Sequence, residues 1–337
     1  MEDVHRLNYI GSKFQLLDWL QTQVLESTGW NTFEGKKIAD IFAGTGIVSY
    51  KFRLDGAIPV TNDAELYSSI IAHAFARSCF TAKCEELFDE MDGELVGFIT
   101  TNYSPHEGDR MFFTVENAKR IDFIRQKLFD IKDEISDDEY KFMLASLILA
   151  ADAVSNVPAV YGCYLKNFKK KALNKLKYIP IHTNKTASLG QCFNGDVLAQ
   201  DFGEVDMVYL DPPYNERQYS KNYFPLNMIA MDPNTEVVLG GKTGIPEGCF
   251  ISPFCSRKKD IVDGAFDNLI KNLKSEWIFL SYSSEGTVPE ERMLKILSKY
   301  GDVNVIKKDY KRFKSFEYNE DLSVVEFLFC LQKTRTW

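Results

Sequence analysis

The stretch VDMVYLDPPYNERQYS, residues 205–220, limits the fold more than any other part of the chain. An apolar run from Met207 to Leu210 stops at Asp211, Pro212, Pro213 and Tyr214. Such a run reads as a short buried strand. It cannot continue through two prolines, which lack the N–H a ladder needs and fix φ. The chain therefore leaves the sheet in a stiff loop at a strand's carboxyl end, the edge at which open α/β sheets bind ligands. The side chains there suit one chemistry. An exocyclic amine conjugated to a ring is a poor nucleophile, because its lone pair is delocalised. Asp211 and the Pro212 carbonyl can accept its two N–H protons and draw the nitrogen toward tetrahedral geometry. Tyr214 can stack on a base that has left its helix. The same four residues also fit an acidic strand end closed by a proline turn, so the rest of the chain must decide.

At 337 residues the chain can bury a full core, as one large domain or one domain with an insertion. A formal net charge of −8 excludes a protein basic all over, but local charge governs contact with nucleic acid. Seven cysteines without a C-x-x-C spacing point to reduced thiols, and the four histidines show no metal spacing, so no metal is expected. The amino terminus has no signal-peptide run, and the stretch Phe142–Ala151 is far short of the ~20 residues that span a bilayer. A soluble, cytoplasmic protein is expected.

In order along the chain, NYIGSKFQLLDWL places Ser12 and Gln15 at capping-box spacing, so a helix is predicted from about Ser12. Its free N–H groups and Lys13 suit a carboxylate ligand, although an ordinary solvated lysine fits as well. KKIADIFAGTGIVSYKF reads as strand, glycine turn and helix, the opening of a Rossmann-like sheet. Gly44 and Gly46 permit close approach of a ligand, and Asp40 before them can meet an ammonium group. A dinucleotide fingerprint would need a third glycine where Ser49 stands. A second strand ends at Asp63, either an N-cap or an acid at roughly the ~20-residue distance that serves ribose hydroxyls. Residues 66–154 read as mostly helical, with a capping box at Ser136 and Glu139 and a core stripe of Met143, Leu144, Leu147, Ile148 and Ala151. Residues 153–195 hold seven lysines and no acid, with Tyr161, Tyr164, Phe168 and Tyr178 interleaved. That pattern suits phosphate contacts better than a merely solvated face. A third strand, QCFNGDVLA, is expected to end at Asp196. GGKTG lacks the spacing of a phosphate loop, since Glu236 stands where its first glycine belongs. A fifth strand, EWIFLSYS, and a terminal strand pair follow, the pair joined by a basic aromatic loop with Tyr310, Lys311, Arg312 and Phe313.

Taken together, NYIGSK, DIFAGTG, ND, NGD and DPPY, in that order, resemble an N6-adenine DNA methyltransferase of the Dam-like α arrangement. PAVYGCYLKNFKKKA, DPPYNERQYSKNY, GKTGI, SYSSEG and YKRFKS resemble its bacterial restriction–modification branch. The chain departs where relatives continue with NYH and a Leu–Glu pair: here Asn222, Tyr223, Phe224 and Pro225 follow. The resemblance implies S-adenosylmethionine as methyl donor and N6 of a flipped adenine, in a specific double-stranded DNA sequence, as acceptor. It places Tyr9 and Lys13 by the methionine part, Asp40, Phe42, Gly44 and Gly46 on the cofactor loop, Asp63 on the ribose and Asp196 by the adenine moiety. Asp211, Pro212 and Tyr214 would be catalytic. Lys166, Lys169, Lys170, Lys171, Lys175, Arg217, Lys311 and Arg312 are the expected DNA contacts. The fold implied is α/β: a Rossmann-like seven-stranded mixed sheet of the class I S-adenosylmethionine-dependent methyltransferases, its last strand antiparallel. Residues 1–80 and 188–337 would form the catalytic domain, and 81–187 a helical, basic recognition insertion. The expected partners are DNA and a cognate restriction endonuclease, with the enzyme itself a monomer. An RNA adenine or guanine-N2 methyltransferase and an inactive DNA-binding specificity protein are the alternatives.

Overall fold

The computed structural model describes residues 4–7, 9, 11–311 and 323–334. Its strands are β1 (Lys37–Asp40), β2 (Ile58–Asp63), β3 (Gln191–Asn194), β4 (Glu204–Leu210), β5 (Leu239–Gly240), β6 (Ile245–Pro246), β7 (Lys274–Ser283), β8 (Gly301–Lys311) and β9 (Ser323–Lys333). Seven of them form one sheet in the order β3-β2-β1-β4-β7-β9-β8. Neighbours run parallel except at β9, which is antiparallel to both β7 and β8. This is the predicted Rossmann-like mixed sheet. β5 and β6, a ribbon the sequence did not predict, pair only with each other among the described residues.

Between these strands lie α1 (Leu17–Thr28), α2 (Ile47–Leu54), α3 (Leu66–Ala76), α4 (Ala82–Glu90), α5 (Phe98–Tyr103), α6 (Val115–Asp130), α7 (Asp137–Ala153), α8 (Tyr219–Asn222), α9 (Phe224–Ala230), α10 (Lys259–Asn272) and α11 (Glu290–Leu297). The period of two in β4 explains how they are shared between the faces. Met207 and Tyr209 join a buried cluster with α1–α3, α6, α7 and α9, while Val208 and Leu210 join one with α10 and α11. Both faces are covered, so the strand reads as an unbroken apolar run. Residues 81–187 contribute α4–α7 and a long irregular stretch, and their apolar side chains belong to the same buried cluster as Ile38 and Phe279 of the sheet.

Three local expectations change. No side chain caps the first helical turn: a 3₁₀ turn, Phe14–Leu16, begins after Lys13, and α1 follows it. The Lys13 side chain instead crosses to the sheet edge. QCFN ends its strand at Asn194, which leaves Asp196 in the loop beyond. Tyr161 and Tyr178 are core residues and not part of an exposed basic face: their hydroxyls donate to Asp152 Oδ1 and the Met143 carbonyl, at 2.8 and 2.9 Å. The capping box at Ser136 and Glu139 forms as read, and the whole predicted stripe of α7 is buried.

Candidate active site

Sheet order changes direction at β1: β2 lies on one side of it and β4 on the other. At such a switch point the loops leave in opposite directions and open a crevice. Asp40, Asp63 and Asp211 sit at or just beyond the carboxyl ends of β1, β2 and β4. The crevice there encloses about 950 Å³ including its open mouth, within the range of small-molecule clefts. Tyr9, Lys13, Asp40, Phe42, Gly44, Asp63, Asp196, Asp211, Pro212 and Tyr214 all line it. Residues read as two separate groups, around the glycine loop and around DPPY, thus share one cavity.

Gly46 is the exception. It has φ +69°, and a Cβ there would lie 2.7 Å from Ala72 Cα. Its conformation and its closeness to α3 require glycine, but it does not line the crevice. Gly44, at φ +52°, does line it, with the Tyr9 ring 3.2 Å from where a Cβ would be.

Five acids line the crevice: Asp40, Asp63, Glu65, Asp196 and Asp211. Asp40 is buried and accepts from Ser49 Oγ at 2.8 Å; burial pushes its carboxyl up to about 7 against that bond. Asp63 accepts from the backbone N–H of Gly44 and of Glu65, at 2.8 and 2.9 Å, which fixes the glycine loop to the end of β2. Asp196 accepts from the Leu198 N–H at 3.0 Å. Glu65, which the sequence reading passed over, also faces the crevice; burial raises it to about 7, although Asn227 Nδ2 donates to it at 2.6 Å. An acid two residues after a strand end looks like ordinary first-turn decoration, so no sequence signal marked it. Asn62 Oδ1, on the same wall, is buried and finds no hydrogen-bond partner among the described residues.

Lys13 has a partner within the protein. Its ammonium lies 2.7 Å from Asp211 Oδ1 and 3.5 Å from Glu326 Oε1, with a further bond to the Gly11 carbonyl at 3.3 Å. Burial alone would lower the Lys13 pKa, but Asp211 and Glu326 hold it above the ordinary lysine value. Burial raises Asp211, and Lys13 opposes the rise. Beyond Tyr214, the buried Tyr223 ring stacks on Tyr9 and Tyr219, with centroids 5.0 and 6.0 Å away, and Tyr9 and Tyr219, which line the crevice, lie tilted to each other at 5.4 Å.

Of the basic residues, Lys166, Lys170, Lys171, Lys175 and Arg217 are exposed. Lys175 lies 3.7 Å from Asp92. Lys169 is half-buried, and its ammonium donates to the Val157 carbonyl at 2.6 Å, so it is used internally. Lys311 is the last backbone position of β8, and Arg312 lies outside the described residues. The start of the basic stretch docks on the end of α8, where the Tyr161 N–H donates to the Asn222 carbonyl at 2.8 Å. Elsewhere His73, Asp137 and Asp138 come together, with Asp138 already bound to His73 and Arg77 at 2.7 and 2.8 Å.

A Rossmann-like mixed sheet whose strand-end crevice joins an acidic glycine loop to Asp-Pro-Pro-Tyr defines an enzyme of methyl transfer to an amine. The chain belongs to the D12 class N6 adenine-specific DNA methyltransferase family, whose profile matches residues 9–243. It is 39% identical over 333 residues to Type II methyltransferase M.CviAII of Paramecium bursaria Chlorella virus 1, covering 97% of this chain and 98% of that protein. It is 35% identical to Type II methyltransferase M.NlaIII of Neisseria lactamica, covering 97% and 100%. A third relative, Type II methyltransferase M.FokI of Planomicrobium okeanokoites, is also 35% identical, but the match takes 53% of that longer protein. The enzyme is thus a DNA methyltransferase acting at adenine N6, and neither alternative is favoured. The family and the fold imply S-adenosylmethionine as donor. Among the described residues, no helix is long and apolar enough to cross a membrane.

Proposed function

We propose that this crevice holds S-adenosylmethionine beside a flipped adenine, and that Asp211, the Pro212 carbonyl and Tyr214 present the adenine amine to it. The observation that carries the reading is the single cavity shared by Asp40, Asp63 and Asp211. The wall also fits the donor chemically. Asp40, Asp63, Glu65 and Asp196 offer negative charge to a molecule with sulfonium and ammonium cations, and the orphaned Asn62 Oδ1 offers an acceptor. When bound, S-adenosylmethionine supplies an electrophilic methyl group.

The chain's own residues do the rest. Asp40 and the Tyr9–Gly44 contact hold the methionine end, Asp63 takes ribose hydroxyls, and Phe42 and Asp196 lie against the adenine moiety. Lys13 fixes one oxygen of Asp211, which leaves the second to accept an N6–H. The Pro212 carbonyl accepts the other. Tyr214 stacks on the base, and the tyrosine cluster excludes water. Positioning and desolvation are then the main catalytic effects. Residues 81–187 form the recognition region, with Lys166, Lys170, Lys171 and Arg217 on backbone phosphates of a specific double-stranded site. A monomer in the cytoplasm, paired with a cognate restriction endonuclease, is the proposed setting, in keeping with relatives named as type II methyltransferases. The test is transfer of labelled methyl from S-adenosylmethionine to duplex DNA. Asp211→Ala and Asp211→Asn should abolish transfer while cofactor and DNA still bind. Retained transfer by either variant overturns the assignment.

A further inference from the structure

We propose that Glu326 is a positioning residue for methyl transfer, holding the Lys13 ammonium so that Lys13 orients the Asp211 carboxylate without neutralising it. Glu326 lies on β9, the one antiparallel strand of the sheet, outside the residues matched by the family profile. Its side chain is 9% exposed and does not line the crevice. It therefore touches neither base nor cofactor and acts through Lys13.

Charge balance gives the reason. Lys13 already has a counterion in Asp211 at 2.7 Å, so a second buried carboxylate 3.5 Å away is not needed to balance it. Burying an extra carboxylate costs free energy. Its effect here is to leave the cluster one negative charge in excess. A cation facing Asp211 alone would draw off the electron density that the N6–H must meet. Shared between two carboxylates, the same cation fixes Asp211 in place and leaves it a strong acceptor. The charged and titratable groups facing Glu326 are Lys13, Asp211, Tyr209 and Tyr214, with Ser281 of β7 beside it. Its strand partners are Ser283 and Lys308, and the Lys308 ammonium lies 5.1 Å over the Trp19 ring.

The inference rests on the reading of Asp211 as the N6–H acceptor. The experiment compares Glu326→Gln and Glu326→Asp with the full-length wild-type enzyme on duplex DNA at saturating S-adenosylmethionine, from acid to alkaline pH. In Glu326→Gln, kcat near pH 8 should fall on the order of tenfold to a hundredfold. The KM for cofactor and DNA should stay unchanged, and Glu326→Asp should recover part of the loss. Both enzymes should lose activity as Asp211 takes up a proton, but only wild type also loses the Glu326 charge, so the ratio of wild-type to Glu326→Gln kcat should shrink toward one at the acid end. Wild-type kcat in Glu326→Gln overturns the proposal, as does a loss by one constant factor at every pH. Should Glu326→Gln not fold, Glu326→Asp decides alone: its shorter side chain withdraws from Lys13, and an unchanged kcat sinks the idea. If Asp211→Ala still transfers methyl, the underlying reading has failed, and that result is distinct from any Glu326 outcome.

Discussion

Asp40 and Glu65 approach the crevice from the ends of β1 and β2, and burial holds both carboxyls near about 7. Two opposite pH effects follow from this one property. A donor carrying net positive charge binds the ionised acids, so its affinity should fall as pH drops below about 7, by up to about tenfold per pH unit for each group. Calorimetric titration with S-adenosylmethionine between pH 6 and 8.5 measures it, and an affinity independent of pH would contradict the assignment. Folding runs the other way. Both acids bind protons more tightly folded than unfolded, so their contribution to stability is largest at low pH and is lost as pH rises through about 7. The ligand-free enzyme should therefore melt higher at pH 6.5 than at pH 8, and Asp40→Asn with Glu65→Gln should reduce that slope. The comparison stops near 6.5 because His73 and His182 are held below their ordinary value by burial, His182 down to about 4, and they oppose the trend in more acid solution.

Among the secondary elements, α5 depends on a residue that is not its own. Asp122, buried on α6, accepts from the backbone N–H groups of Gly97, Ile99 and Thr100 and from the Thr100 hydroxyl, at 2.7–3.1 Å. One carboxylate thus satisfies most of the donors at a helix start that has no side-chain cap of its own. Asp122→Ala would strand these donors in the interior and should cost about 3 kcal/mol in denaturant unfolding. Asp122→Asn keeps one acceptor oxygen and should cost less; equal stability of all three proteins would refute the capping role. This device shows what the sequence could not reveal. The strands and the α7 stripe were readable, because burial on one face or two leaves a periodic apolar pattern behind it. The ends of β1, β2 and β4 were readable too, because an acid after an apolar run is conspicuous. Asp122, Glu65 and Glu326 left no such mark: each matters through a contact made in space, as does the Lys13–Asp211 bond between residues 198 positions apart. Gly46 is ambiguous for the opposite reason, since a glycine required by packing on α3 looks the same in sequence as one required by a ligand.

Across the whole molecule the charge is uneven: a chain of net −8 carries a segment of seven lysines without an acid. Folding sorts that segment. Lys169 turns inward to a carbonyl and Lys175 lies against Asp92, while Lys166, Lys170 and Lys171 remain exposed. The start of the segment docks on Asn222, at the end of the helix α8 that follows the Asp-Pro-Pro-Tyr loop. An acidic protein can bring DNA to this edge only if a local field overcomes the general repulsion, and contacts to phosphate position the duplex without reading its sequence. Charge reversal at Lys166, Lys170 and Lys171 together should therefore weaken binding to cognate and non-cognate duplexes alike. Each lost phosphate contact should make the plot of log affinity against log salt shallower by about 0.9. Cofactor affinity, set within the crevice, should not change. Fluorescence anisotropy over a salt series separates the outcomes. A parallel loss with a shallower slope places the lysines on the backbone. Loss confined to the cognate site would make them readers of base edges, and an unchanged slope and affinity would move the DNA face elsewhere on the molecule.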